Sequence, residues 1–149
     1  MKPLDPVDSV LRIKGHQVWS IAPTASVYEA VERMSEKGVG ALLVMSAGHL
    51  TGIISERDYA RKVILNDRSS KATQVWEIMT HQVITADRWA TVEQCMRSMS
   101  EQGIRHMPIV DGGRVIGVVS MRDLVNWTVA SDEETIGHLT DYIEGKYPR

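Results

Sequence analysis

The sequence predicts a mixed α+β (α/β) protein. It consists of two β-α-β-β-α units packed as a pseudo-two-fold pair around a central cleft, with further helices at both ends. Three observations predict this. Residues 10–60 and 75–125 align without a gap at an offset of 65, and fifteen aligned pairs are identical, including Val10/Val75, Ile13/Ile78, His16/His81, Gly52/Gly117, Ser55/Ser120, Arg57/Arg122 and Asp58/Asp123. Apolar residues in both copies alternate between helical spacing and strand-length runs. Capping residues and glycines mark the changes at matching places. Two similar units that cannot bury their faces alone must stack, and a cleft between them is where a ligand is expected.

The elements follow in order. Asp5 and Pro6 read as an N-cap followed by a first-turn proline, and Val7, Val10 and Leu11 form a short apolar stripe ended by Gly15. Val18 to Ile21 reads as a short strand. Ser26 and Glu29 form a capping box before the stripe Val27, Ala30, Val31 and Met34, which Gly38 closes. Ala41 to Met45 and Leu50 to Ile54 are strands turning at Ala47-Gly48, and Ser55 opens a helix to about Leu65. In the second copy, Thr91 and Gln94 cap the stripe Val92, Cys95, Met96 and Met99, and Gly103 closes it. His106 to Val110 and Arg114 to Val119 are its strands, turning at Gly112-Gly113, and Ser120 opens its last helix. The domain division is thus a first unit over 10–65 and a second over 75–129, each with a lead-in helix, joined by the polar linker 66–74. A third capping box, Ser131 to Glu134, starts an amphipathic helix over 131–145 that needs an apolar surface to lie on.

Composition narrows the function. A chain of 149 residues, 43% hydrophobic and 24% charged, suffices for one sizeable core. A net charge of −2 provides no basic field for nucleic acid. Cys95 is the only cysteine, which excludes an internal disulfide and a cysteine-rich zinc site. No run approaches the ~20 apolar residues of a membrane helix, and the N-terminus lacks the apolar stretch of a signal peptide. A cytoplasmic location is the expectation. Cys95 falls on a helix stripe and reads as a core residue. His16 and His81 read as structural, and the four tryptophans as core or interface residues. No metal-ligand spacing and no nucleophile–base pair is visible.

The candidate site is the segment GIISERD, residues 52–58, and its copy GVVSMRD, residues 117–123. A buried strand runs directly into a helix, whose N-terminus attracts anions. Ser55 and Ser120 supply hydroxyls at the N-cap. Asp58 and Asp123, three residues on, can each accept two hydrogen bonds from vicinal hydroxyls such as those of a ribose. Arg57 and Arg122 add planar positive charge. Gly52 lets backbone or ligand approach the strand. Ser-x-x-Asp is equally an ordinary helix cap, and duplication copies a cap as faithfully as a binding site.

These motifs, with VWEIMTHQVIT and GIRHMPIVDGGRVIGVVS, resemble the CBS-domain family, specifically a tandem CBS pair or Bateman module, over residues 10–128. The resemblance implies a non-catalytic regulatory module that binds adenosine nucleotides and senses energy or redox state. AMP is the first choice, with NAD(H) or ATP next. Asp58 and Asp123 would hold ribose hydroxyls beside Ser55 and Ser120. Ser20-Ile21 and Thr85-Ala86 would lie against adenine. Arg105 and His106, followed by Met107 and Pro108, would face the phosphate of the nucleotide held by Asp58. The first copy has Gly40 and Ala41 at the Arg105 and His106 positions. The Asp123 site would therefore hold phosphate more weakly or take cations from elsewhere, with Arg68 and Lys71 as candidates. The alternatives are an S-adenosylmethionine-binding pair and a ligand-free interaction scaffold. A homodimer through the helices over 55–65 and 120–129 is expected, together with a regulated protein of unknown identity.

Overall fold

The computed structural model describes residues 2–130, so the helix expected over 131–145 lies outside the described residues. Helix α1 is Val7–Lys14. Strand β1 (Ser20–Ile21), helix α2 (Val27–Lys37), strands β2 (Ala41–Ser46) and β3 (His49–Ser55) and helix α3 (Glu56–Tyr59) follow. A π-helical turn, Ala60–Ile64, continues α3. After α4 (Val75–Ile78), the second copy places β4 (Ala86–Asp87), α5 (Val92–Gln102), β5 (His106–Asp111), β6 (Arg114–Ser120) and α6 (Met121–Val129).

Each copy forms a three-stranded mixed sheet. Strand β1 runs parallel to β2, and β2 pairs antiparallel with β3; β4, β5 and β6 repeat this arrangement. Both hairpins carry a register shift at the same place, between Val44 and Met45 and between Ile109 and Val110. The first strands are shorter than the Val18–Ile21 expectation, with two residues each. The hairpin turns hold Ala47-Gly48 and Gly112-Gly113 at positive φ, as two-residue turns require.

The chain packs as two compact units. One is Val18–Ile84, and the other joins residues up to Gln17 with those from Thr85 onward. The lead-in helices therefore pack across the repeat boundary in sequence: α1 belongs with β4–α6, and α4 with β1–α3. Backbone hydrogen bonds explain this. The Val7 and Asp8 N–H groups donate to the Ala90 and Arg88 carbonyls at 2.7 and 3.0 Å, while Val75 and Trp76 donate to Ala25 and Pro23 at 2.9 and 3.0 Å. The first orphan donors of each lead-in helix are thus satisfied by the loop after the opposite copy's first strand. Asp5 does not cap α1; Pro6 is the N-cap and has no side-chain bond, and the Asp5 carboxylate accepts from Trp127 Nε1 at 3.0 Å.

The same bonds correct the repeat alignment at its start. By capping partner, Val7 matches Val75, an offset of 68 rather than 65. Glycine contacts agree. A Cβ on Gly117 would meet Leu11 Cδ2 at 2.7 Å, and one on Gly52 would meet Met79 Sδ at 2.5 Å. Leu11 therefore corresponds to Met79. Ile13 and Ile78, aligned and identical in sequence, differ accordingly: Ile13 is 63% exposed and Ile78 is buried. Helix α1 runs a full turn beyond the point where its counterpart ends.

Val7 and Leu11 are completely buried. Asp8 is buried beside them, and its carboxylate is paired with Arg88 at 2.8 Å and Arg12 at 3.1 Å. In the other unit, Ile21, Val27, Ala30, Met34, Leu42, Val44, Ile54 and Val63 form a core that Val75 and Ile78 of α4 complete. Gly38 and Gly103 cap α2 and α5 in the left-handed conformation, as their sequence positions predict. Thr91 and Gln94 form a full capping box, whereas Ser26 accepts from the Glu29 N–H while the Glu29 carboxylate turns to Arg33. Cys95 is buried in its stripe. Trp76 and Trp89 are exposed and belong to no core.

The glycine contacts predict unequal costs for added methyl groups. At Gly52 a Cβ would also meet the Thr80 carbonyl oxygen at 2.9 Å, and Thr80 is tied to Ile53 by two backbone hydrogen bonds. At Gly117 it meets only the movable end of Leu11. Overpacking of a well-packed site costs about 1–3 kcal/mol. Gly52→Ala should fall at the upper end and Gly117→Ala at the lower, a difference read from urea unfolding midpoints.

Candidate functional site

In each unit the last strand turns into a helix at a serine. The Ser55 hydroxyl accepts from the Asp58 N–H at 3.2 Å, and Asp58 Oδ2 accepts from the Ser55 N–H at 2.9 Å and the Ser55 hydroxyl at 3.1 Å. Ser120 and Asp123 repeat the two reciprocal cap bonds, with the Asp123 N–H donating to Ser120 Oγ at 3.1 Å and the Ser120 N–H donating to Asp123 Oδ2 at 2.8 Å. Both are complete capping boxes. The cap reading is therefore structurally real in both units. It also fixes the orientation of each carboxylate, and both remain partly exposed.

The segment before β2 or β5 closes each corner from the side. The Glu56 N–H donates to the Gly40 carbonyl at 3.0 Å and the Met121 N–H to the Arg105 carbonyl at 2.9 Å. These first-turn donors are used internally, so the corners offer a carboxylate and a hydroxyl more than an amide cradle for phosphate.

One lysine meets each carboxylate, and the two lysines come from different places. Lys62 sits one turn beyond Asp58; its Nζ lies 3.1 Å from Asp58 Oδ1 and donates to the Ile78 carbonyl of α4 at 2.8 Å. Lys14 sits on the last turn of α1; its Nζ lies 2.6 Å from Asp123 Oδ2 and donates to the Val118 carbonyl at 2.8 Å. In both units the lysine bridges the lead-in helix, the sheet or corner, and the aspartate. The helical spacing Asp58–Lys62 is visible in the sequence. Lys14 is hidden there, because the gap-free alignment sets it opposite Met79.

The two corners differ in charge. His106 pairs with Ser120 across β5 and β6, while Ala41 pairs with Ser55. Burial lowers the His106 pKa from its ordinary 6.5; Lys14 and Arg105 lower it further, and Asp123 raises it. Within its own unit His106 thus stands in the field of Lys14, Arg105 and Asp123. The linker cations suggested for this corner are engaged elsewhere: Arg68 pairs with Glu77 at 2.5 Å, and Lys71 lies over the Tyr28 ring. The cation that meets Asp123 is Lys14.

The remaining candidates are scattered by burial. Ser20 and Ile21 form β1 in the Asp58 unit, with Ile21 buried and the Ser20 carbonyl accepting from Arg33 Nη1. Thr85 is exposed and Ala86 half-buried in the Asp123 unit, while Met107 and Pro108 are buried in β5. Arg57 and Arg122 are half-buried beside their aspartates in sequence. His16 bonds the Ile116 carbonyl through Nδ1 at 2.9 Å, a structural edge contact. Burial pushes the Cys95 thiol up to about 11, so it is not a thiolate at neutral pH. Among the described residues there is no cluster of three or more potential metal ligands, and no helix is long and apolar enough to cross a membrane.

The His106 shift carries a pH dependence. Its folded-state value lies below that of the unfolded chain, so the unfolded state takes up the proton first on acidification. Stability is fully present above about 6.5 and falls as pH drops through the folded value. Urea midpoints measured from pH 7.5 to 5 should fall more steeply for the natural protein than for His106→Gln.

Comparison with known proteins agrees with this architecture. A family model for the CBS domain matches residues 10–65 and again 75–130. The CBS domain-containing protein CBSX3 of Arabidopsis thaliana, described as mitochondrial, is 39% identical over 150 residues, covering 95% of this chain and 73% of its own. A putative signal-transduction protein with CBS domains from Burkholderia ambifaria superposes with a TM-score of 0.82 at 42% identity, over 86% of this chain and 96% of that one. A CBS domain pair solved with 5′-methylthioadenosine and S-adenosyl-L-methionine superposes with a TM-score of 0.74 at 27% identity, over 85% of this chain and 97% of that one. Matched by the family model in both copies of its repeat and by solved CBS-domain structures over most of its length, the chain belongs to the CBS domain family and carries two such domains in tandem.

Proposed function

We propose that this CBS pair is a non-catalytic regulatory module that binds adenosine nucleotides at its Ser-x-x-Asp corners, AMP first and NAD(H) or ATP next, and so reports energy or redox state to another protein. The observation that carries the reading is the recurrence of one corner in both units. Each holds a carboxylate oriented by its own serine, partly open to solvent, at the end of a buried strand. An acceptor already held in place loses little freedom on binding, which favours recognition of paired hydroxyls. In this reading Asp58 and Asp123 take ribose hydroxyls, Ser55 and Ser120 assist, Ser20-Ile21 and Thr85-Ala86 flank adenine, and Arg57, Arg122, Arg105 and His106 face phosphate.

The neighbour solved with S-adenosyl-L-methionine and 5′-methylthioadenosine supports adenosyl ligands in general and favours a second reading with a phosphate-free ligand. The lysine at each aspartate weighs against the sulfonium, since like charges a few ångströms apart repel. Exposed Ile64 and Leu65 beyond α3, and Val125 and Val129 on α6, support an isologous homodimer through these helices. We place the module in the cytoplasm; the mitochondrial relative makes an organelle the competing location.

Calorimetric titration with AMP, ATP, NADH and S-adenosyl-L-methionine tests the reading. Asp58→Asn and Asp123→Asn preserve the shape of the cap while removing the charge. A hydrogen bond to a charged group contributes about 1.5–3 kcal/mol, so each variant should lose roughly ten- to a hundredfold in affinity at its own site. Absence of binding to any of the four ligands by the natural protein would leave the interaction-scaffold reading in its place.

A further inference from the structure

We infer that Lys14 is the anion-selecting residue of the Asp123 corner, making that corner a site for an adenosine compound bearing a 5′-phosphate in preference to a phosphate-free one. This rests on the nucleotide reading above and departs from the expectation that the Asp123 corner holds phosphate weakly, because Lys14 supplies the cation that Gly40 and Ala41 do not.

Lys14 exists where it does because α1 is longer than α4. Val7 and Leu11 correspond to Val75 and Met79 by capping and glycine contact. Helix α4 ends at Ile78, whereas α1 continues to Lys14. The extra turn has no counterpart in the other unit. It is seated by packing and charge: Leu11 is fully buried against Gly117, and the buried Asp8 is paired with Arg88. The turn delivers an ammonium to within 2.6 Å of Asp123 Oδ2.

Beside that ammonium the corner carries Arg105, a second cation, where the first copy has Gly40, and the imidazole of His106, held toward its neutral form by burial, where the first copy has Ala41. His106 is opposite Ser120 in the sheet, and Arg105 holds the Met121 N–H through its carbonyl. The Asp58 corner has Lys62, bound to the Ile78 carbonyl as Lys14 is to the Val118 carbonyl, but has no counterpart of Arg105.

The chemistry follows from one shared acceptor. Ribose hydroxyls and the Lys14 ammonium compete for the Asp123 carboxylate. A phosphate-free nucleoside that takes the carboxylate leaves the ammonium with the Val118 carbonyl and no anion. A nucleotide takes the same carboxylate but brings an anion of its own to the flexible four-carbon stem. Selectivity is the difference between those two affinities. Lysine suits this exchange because its compact charge can swing between two acceptors without a fixed fork geometry.

The test measures AMP and adenosine affinities for the full chain carrying Asp58→Asn, which isolates the Asp123 corner, with and without Lys14→Met. Methionine retains the length of the stem without its charge. The preference for AMP over adenosine should fall about tenfold in Lys14→Met, chiefly through weaker AMP binding, and Lys14→Arg should retain it. The urea midpoint of Lys14→Met, close to that of the natural protein, separates a fold defect from a change in recognition. An unchanged ratio at that midpoint, with AMP still bound, overturns the role of Lys14 alone. If the natural protein binds neither ligand, the nucleotide reading fails with it.

Discussion

The close approach of each lead-in helix to the sheet of its unit is the constraint on which the rest depends. It is possible because Gly52 and Gly117 carry no side chain where Met79 and Leu11 press against the strand. With the helix seated, its first N–H groups reach the carbonyls of the loop after the first strand. Core closure follows, since Val7, Leu11, Val75 and Ile78 are all buried. The lysine bridges at Asp58 and Asp123 then become geometrically available. A glycine expected to make room for ligand or backbone makes room for the packed lead-in segment.

The Ser-x-x-Asp corners show how a structural cap and a recognition element can be one object. The reciprocal hydrogen bonds satisfy helix donors that would otherwise need water. They also lock a carboxylate into one orientation at a strand end. A capping aspartate commits one oxygen to its serine. Its charge remains available to a lysine in the structure and to paired hydroxyls in the proposed complex. Cap and ligand therefore need not be rival explanations of the motif.

The repeat is symmetric in backbone and asymmetric in charge. Sheet order, bulge position and corner geometry are duplicated closely. Cations are not. One unit bridges its lead-in helix with a lysine on the corner helix, and the other with a lysine on the lead-in helix itself. The second corner adds Arg105 and a histidine held toward its neutral form by burial and neighbouring charge. Divergence after duplication has spared the hydrogen-bonded frame and changed the side chains that face it.

Much of this was legible in the residues. Strand-length apolar runs, capping pairs and closing glycines identified the elements of both copies, because these signals act over a few neighbouring residues. The Ser55/Asp58 and Ser120/Asp123 corners were legible for the same reason. Misreadings arose where the decisive partner is distant in sequence. Asp5 resembles a cap but bonds Trp127, and α1 is capped by Ala90 and Arg88. Ile13 copies Ile78 in letter and differs from it in burial, because the extra turn of α1 shifts the register. Lys14 lies 109 residues from the aspartate it meets. Local pattern carries the fold of each unit, while the pairing of helix with sheet sets which charges share a site, since that pairing depends on packing volume and backbone hydrogen bonds between segments far apart in the chain.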